Sequence, residues 1–247
     1  MVDVRNKWAL VTGASRGIGA LAALALAKRG CNLMLHSRSL AHFDSLRSKL
    51  AEYPVEVLFY EAELSDLDAV SAMLTAIDES GHPVDIVLNN AGLQIAYRTD
   101  YLTTPAGDYT HSFLVNTIAP MMICYHFIPK MQANGFGRIV NTTSGIALDP
   151  QQAGYSASKA ALDKVTIDVG SKLEGSNVII SLADPGWCRT DLGGPNAPGA
   201  PESALPGVIV GAFIDDGHSG RLFAASDFYD MTLEEAVAKA ESMPAKY

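Results

Sequence analysis

Short runs rich in Val, Ile and Leu alternate along the chain with longer stretches in which apolar residues recur every three or four positions. The short runs Trp8–Val11, Asn32–His36, Val55–Tyr60, Val84–Leu88, Arg138–Thr142, Val178–Leu182 and Arg221–Ala224 read as strands. Most are continuously apolar, the pattern of a parallel sheet covered by helices on both faces. Ile18, Leu21, Ala22, Ala25 and Leu26 recur at helical spacing, and Gly30 stands where a C-terminal cap falls. Ser65 and Asp68 are expected to cap a helix carrying Val70, Met73, Leu74 and Ile77. Residues 110–134 and 154–174 predict two longer helices, and Thr232-x-x-Glu235 is a capping box opening a last amphipathic helix to about Ser242.

Strand–helix alternation throughout predicts an α/β, doubly wound Rossmann fold: one domain over 1–247, with about seven parallel strands flanked by helices. No internal repeat or linker interrupts it. The Gly- and Pro-rich stretch from Cys188 leaves the carboxyl edge of the sheet, where ligands bind in this topology, and a substrate loop over about 188–219 is expected there.

Composition narrows the function classes. A formal net charge of −9 disfavours phosphate backbones and anionic membrane surfaces as partners, without excluding a local basic pocket. The three cysteines, Cys31, Cys124 and Cys188, are far apart and form no C-x-x-C pair, which points to a reducing, cytoplasmic setting. No run approaches 18 uninterrupted apolar residues, so no membrane span is expected. The six histidines show no metal-ligand spacing, so no metal is expected.

Thr12-Gly13-Ala14-Ser15-Arg16-Gly17-Ile18-Gly19 directly follows the first strand and opens the first helix. Glycines at such a turn let backbone N–H groups approach a pyrophosphate, and the helix N-terminus adds favourable partial charge. NAD binders place a carboxylate about 20 residues on, to accept from the ribose 2′-OH. Here the second strand ends His36-Ser37-Arg38-Ser39, with no acid. Arg38 and Arg16, with Ser15 and Ser37 as hydroxyl donors, are suited to clamp a 2′-phosphate, so NADP(H) is expected over NAD(H).

Asn89-Asn90-Ala91-Gly92 follows the fourth strand, Asn116 lies in the next helix, and Ser144 follows the fifth strand. Tyr155-x-x-x-Lys159 and then Pro185-Gly186 with Thr190 complete the order. The ordered set, over about residues 5–225, resembles the short-chain dehydrogenase/reductase family in its compact single-domain branch, closest to carbonyl-reductase and cell-signalling members. The resemblance implies Tyr155 as the proton-transfer residue, Lys159 on the nicotinamide ribose, Ser144 on the substrate oxygen and Asn116 in a proton relay. Tyr155 and Lys159 share one helix face at i and i+4, and the ammonium is expected to lower the phenol pKa. Ser144 precedes Tyr155 by eleven residues where the family commonly has thirteen, which leaves Thr142 and Thr143 as alternatives for the hydroxyl.

By the same resemblance, Asn90, Ala91 and Gly92 line the riboses, and Glu63-Leu64 lies near adenine. The Cys188 backbone and Thr190, after Pro185-Gly186, hold the carboxamide. Leu93, Gln94, Leu148, Trp187 and Leu192 border the substrate pocket, so a ketone or secondary alcohol with hydrophobic flanks is the expected substrate. The expected protein is a homodimer or homotetramer. Competing readings are an NADP(H)-binding regulatory protein with little turnover and an NAD-linked dehydrogenase of the same family. The intact Tyr155–Lys159 pair and Arg38 argue against them.

Overall fold

The computed structural model describes residues 1–244. Seven parallel strands form one sheet in the order β3-β2-β1-β4-β5-β6-β7. They are β1 (Trp8–Val11), β2 (Asn32–Ser37), β3 (Val57–Glu61), β4 (Ile86–Asn89), β5 (Gly137–Thr142), β6 (Val178–Asp184) and β7 (Arg221–Ala224). Every strand expected from the apolar runs is present, with ends moved by at most two residues. The helices are α1 (Gly17–Ala27), α2 (Asp44–Leu50), α3 (Leu67–Glu79), α4 (Ala106–Phe113), α5 (Ala119–Asn134), α6 (Ala153–Leu173) and α7 (Leu233–Ser242).

The two sheet faces carry separate apolar clusters. One joins α1, α2 and α7 with the segment 204–214, and the other joins α3, α5 and α6. Chain order reverses beside β1, so β1 and β4 are neighbours whose connections run to opposite sides, the switch point at which this architecture opens a crevice.

Local chemistry sets several boundaries. Gly30, at φ +76, follows the C-terminus of α1, where Cys31 N–H donates to Leu26 O. The cap of α3 is Asp66, whose carboxylate accepts from the Asp68 and Ala69 N–H groups, rather than Ser65 or Asp68. Ser65 is drawn away because it bonds Glu63. The capping box of α7 forms as its spacing predicts.

Two segments depart from expectation. The helical run Ala106–Asn134 is long and apolar enough by length and composition to cross a membrane, yet 61% of its apolar window is buried inside the fold. The stretch expected as a substrate loop divides in two. Apart from the buried Cys188 and Ala197, residues 188–203 run along the surface, but Ala204, Val208–Val210 and Ala212–Ile214 are buried in the α1/α7 cluster. This segment covers the sheet where the β6–β7 crossover has only short 3-10 turns, Pro201–Ala204 and Val210–Ala212. α7 packs against it, burying Leu233, Ala236, Val237 and Ala240.

Candidate active site

The glycine-rich turn is built by backbone need. Gly13 and Gly17 have φ of +62 and +54, the left-handed region that favours glycine. A Cβ at Gly19 would stand 2.4 Å from Gly13 O and 2.5 Å from Asn90 Nδ2, so the turn closes only around a bare backbone. Asn90 Nδ2 donates to Thr12 O and Gly13 O at 3.1 and 3.3 Å, and Ala91 N–H donates to Thr12 Oγ1 at 3.1 Å. Asn90 thus braces the turn from β4 with the same amide expected to line a ribose.

Helix α1 starts at Gly17 with no side-chain cap and no acid in its first turn. Its first-turn N–H groups and positive end are left to an anion. This cradle fits a pyrophosphate. Arg16 is exposed and pairs with Asp191 at 3.1 Å. Arg38 is exposed, and among the described residues no carboxylate pairs with it. Glu63, expected near adenine, holds Ser65 through its N–H and hydroxyl, while Leu64 is buried.

The second half of the site gathers at the ends of β5 and β6 and along α6. Tyr155 and Lys159 are both buried, 8% and 3% exposed. The Ser144 hydroxyl lies beside the Tyr155 phenol, and its oxygen accepts Ile146 N–H at 3.2 Å. Of the three candidate hydroxyls, this is the one at the phenol. Thr142 presents its carbonyl to Lys159 Nζ at 2.7 Å, and the Thr143 hydroxyl lies at Asp163. Between Ser144 and Tyr155 a 3-10 turn, Pro150–Gln152, leads directly into α6.

Electrostatics here departs from expectation. Burial pushes the Tyr155 phenol above its ordinary value, opposed by Ser144 and reinforced by the Asp184 carboxylate. Burial pulls Lys159 down to about 8, with Asp163 and Asp184 opposing the shift. The expected lowering of the phenol by the lysine is therefore absent. Desolvation sets the direction of the phenol's shift, and the lysine donates to Thr142 O instead.

Asn116 sits in a π-helical turn, Leu114–Ile118, between α4 and α5. Pro120 has no N–H to give the Asn116 carbonyl, so the ladder widens and Ala119 N–H reaches Leu114 O. The Asn116 side chain clamps Leu93, accepting its N–H and donating to its carbonyl, both at 2.8 Å, and donates to Ser158 Oγ at 3.0 Å. A Cβ at Gly92 would lie 3.7 Å from each of Asn116 Oδ1, Lys159 Nζ and Leu192 Cδ1. Asn116, Lys159, Gly92 and Leu192 therefore meet at one point.

After β6, Gly186 N–H is held by Asp184 Oδ1 at 2.9 Å. Trp187 Nε1–H donates to Gly193 O at 2.7 Å and Thr190 Oγ1 accepts Gly193 N–H at 3.1 Å, folding 187–194 into a compact turn. A Cβ at Gly17 would lie 3.3 Å from Thr190 Cγ2, so this turn lies over the start of α1. Cys188 is buried and its thiol is pushed up by that burial. Of the expected pocket residues, Leu93 is half-buried, while Gln94, Trp187 and Leu192 are exposed around the opening. Leu148 stands fully in solvent at φ +58, outside any lining the structure shows.

A family model described as short chain dehydrogenase matches residues 7–199, spanning both halves of this site. The chain belongs to the short-chain dehydrogenase family. An uncharacterised oxidoreductase of Mycobacterium bovis is 29% identical over 221 residues, 85% of this chain and 65% of that protein. The 2-dehydro-3-deoxy-D-gluconate 5-dehydrogenase of Formosa agariphila is 27% identical over 79% of this chain and 74% of its own. The chain thus spans just under two thirds of the mycobacterial relative's length. Among solved structures, a metagenomic short-chain oxidoreductase in complex with NADP superposes with a TM-score of 0.76 at 26% identity, covering 90% of this chain and 99% of that one. An NADPH-dependent reductase involved in bacilysin biosynthesis gives 0.77 at 25%, covering 89% and 98%.

Some residues of this short-chain dehydrogenase escaped the sequence reading. His36 is 1% exposed, faces Ala62 O with Nε2 at 3.0 Å and accepts Gly13 N–H on Nδ1 at 3.3 Å. Burial holds its imidazole below the ordinary value. It thereby anchors the glycine-rich turn to the end of β3, and no metal-type spacing flags such a role. Asp163, one turn beyond Lys159, and Asp184, at the end of β6, place two carboxylates around the lysine. The i+4 spacing from Lys159 was the available signal for Asp163. Among the described residues no group of three or more His, Cys, Asp or Glu is placed to hold a metal.

Proposed function

We propose that this chain is an NADP(H)-dependent oxidoreductase acting on a ketone or secondary alcohol with hydrophobic flanks, with Tyr155 as general acid and base. The observation that carries the reading is the grouping of Ser144, Tyr155 and Lys159 at the open end of a dinucleotide-type cradle. When bound, the nicotinamide supplies or accepts the hydride. Ser144 donates to the substrate oxygen, and Tyr155 Oη gives that oxygen its proton in reduction or removes it in oxidation. A buried phenol above its ordinary value is protonated at neutral pH, which suits it to the reductive direction. Lys159 holds the ribose with its ammonium, and Asn116 keeps Leu93 and Gly92 in place at the reacting end.

Support for NADP(H) over NAD(H) comes from the absence of an acid at the end of β2 and from Arg38, whose guanidinium pairs with no carboxylate among the described residues. Relatives of 25–26% identity whose structures hold NADP or are described as NADPH-dependent favour the same choice. Trp187, Leu192 and Leu93 around the opening favour an apolar substrate over a sugar phosphate. The exposed Tyr109, Ile118 and Tyr125 along α4 and α5 are suited to a homodimer contact.

The deciding experiment is Tyr155→Phe, assayed on any accepted ketone with NADPH. The expected result is a loss of turnover of about a hundredfold or more, with NADPH affinity retained. Full turnover in the variant ends the proton-transfer reading.

A further inference from the structure

Beside the glycine-rich turn runs a hydrogen-bonded chain that the reading above does not use. Ser37 Oγ donates to Ser15 Oγ at 3.3 Å, and Ser37 Oγ meets His42 Nδ1 at 3.2 Å. A serine hydroxyl has one hydrogen. An acceptor-only anion at the turn would take the Ser15 hydrogen; Ser15 would then accept from Ser37, and Ser37 from His42 Nδ1–H. With such an anion bound, the chain runs in one direction, from His42 Nδ1–H to Ser37 O–H to Ser15 O–H. Apart from Ser37 Oγ, the Ser15 hydroxyl meets no hydrogen-bond partner among the described residues.

Each bond of such a chain polarises the next. A chain of donors ending on a free O–H is complementary to an anion. The cationic neighbours agree: Arg38 follows Ser37 with no carboxylate paired to it among the described residues, while Arg16, after Ser15, is paired with the exposed Asp191. Ser37 is 4% exposed, so its hydroxyl is held in place rather than free to reorient in solvent. The nearby carboxylate, Glu61 at the end of β3, accepts Leu40 N–H at 2.9 Å and is thereby tied to the short 3-10 turn, Leu40–Phe43, that carries His42.

We infer that His42 is a specificity-determining positioning residue for the 2′-phosphate of NADP(H), acting through Ser37 to aim the Ser15 hydroxyl at the phosphate. The inference rests on the NADP(H) reading and adds to it a residue outside the arginine pair. The imidazole does not itself need to touch the phosphate. Its work is to use up the accepting side of Ser37, so that both serine hydrogens point toward the turn.

The test measures Kd for NADPH, NADH and adenosine 2′,5′-bisphosphate by calorimetry on the whole chain, without need of a substrate. His42→Ala is expected to weaken NADPH and the bisphosphate about fivefold to tenfold, the latter equal to ~1.4 kcal/mol. NADH affinity stays within about twofold, the scatter allowed for a residue that acts only on the 2′-phosphate. His42→Gln, which keeps a donor at similar reach, should recover most of the loss. In a Ser37→Ala background His42→Ala should have no further effect.

If the wild-type chain binds NADPH no more tightly than NADH, the NADP(H) reading fails and this inference fails with it. If the wild type prefers NADPH but His42→Ala leaves that preference intact, the inference alone is overturned. Equal weakening of NADPH and NADH also overturns it, because that marks a structural role.

Discussion

Lys159 shows how much of this site is a matter of burial. Its ammonium lies within the fold with Thr142 O as hydrogen-bond partner, and its pKa falls to about 8. The sign of the resulting pH dependence follows from proton counting. Below about 8 the lysine is charged in both folded and unfolded chains, and the cost of burying the charge is present in full. Between about 8 and the ordinary 10.5, the folded chain has released a proton that the unfolded chain still binds, so stability rises with pH. Comparison with Lys159→Met isolates this contribution. The wild type should gain stability relative to the variant from pH 8 to 10, by up to about 1.4 kcal/mol per pH unit at the steepest. Chemical denaturation at each pH measures it, and a flat difference refutes the assignment. Tyr155, shifted upward by burial, acts in the opposite sense only above pH 10. The pair Tyr155-x-x-x-Lys159 is readable as a motif, but the direction of the phenol shift is not. Desolvation depends on what α6 packs against.

At the scale of elements, the same residue type has opposite meanings in different places. Gly19 lies against Gly13 O and Asn90 Nδ2, whereas a Cβ at Gly107, in α4, meets nothing within 4 Å. Gly19→Ala should therefore destabilise by about 1–3 kcal/mol and weaken dinucleotide binding. Gly107→Ala should stabilise by up to about 1 kcal/mol through helix propensity. Denaturation midpoints and dinucleotide titrations compare the two, and equal effects contradict the close-packed turn. The glycine-rich turn was legible because backbone geometry demands its glycines in order. The α3 cap was misread, since Ser65, Asp66 and Asp68 are all good cap residues and only the direction of chain entry selects Asp66. At Asn116, Pro120 removes an N–H from the helical ladder, but that the helix widens there into a π turn is seen only in the structure.

Taken whole, the molecule divides its work between the two edges of the sheet. The carboxyl edge gathers the glycine-rich turn, Ser144, Tyr155 and the 187–194 turn. The amino edge carries a buried structural network. Arg138 is 0% exposed and donates to Ile214 O, Gly137 O, Asn177 O, Asn177 Oδ1 and Asp215 Oδ1. Arg221, 2% exposed, pairs with Asp216 and donates to Ala240 O, tying β7 to α7. Arg138→Ala strands these acceptors in the interior and should cost about 3–5 kcal/mol of stability. NADPH affinity of the folded variant should stay unchanged, because the network lies at the edge opposite the cradle. A variant that keeps its stability, or loses affinity while folded, contradicts this division.

Periodicity and motif order alone were enough to determine strand number and the parallel doubly wound layout. Those features rest on local geometry: apolar runs need cover on both faces, tight turns need glycine, and i and i+4 share a helix face. Tertiary structure decided what depends on distant partners. It chose Ser144 over Thr142 at the phenol, turned Glu63 toward Ser65, and buried half of a Gly- and Pro-rich loop in the core. It also joined His42 to Ser15 across the sheet end. Hydrogen bonds and desolvation act between atoms brought together from far along the chain, and no spacing within one segment encodes which atoms those are.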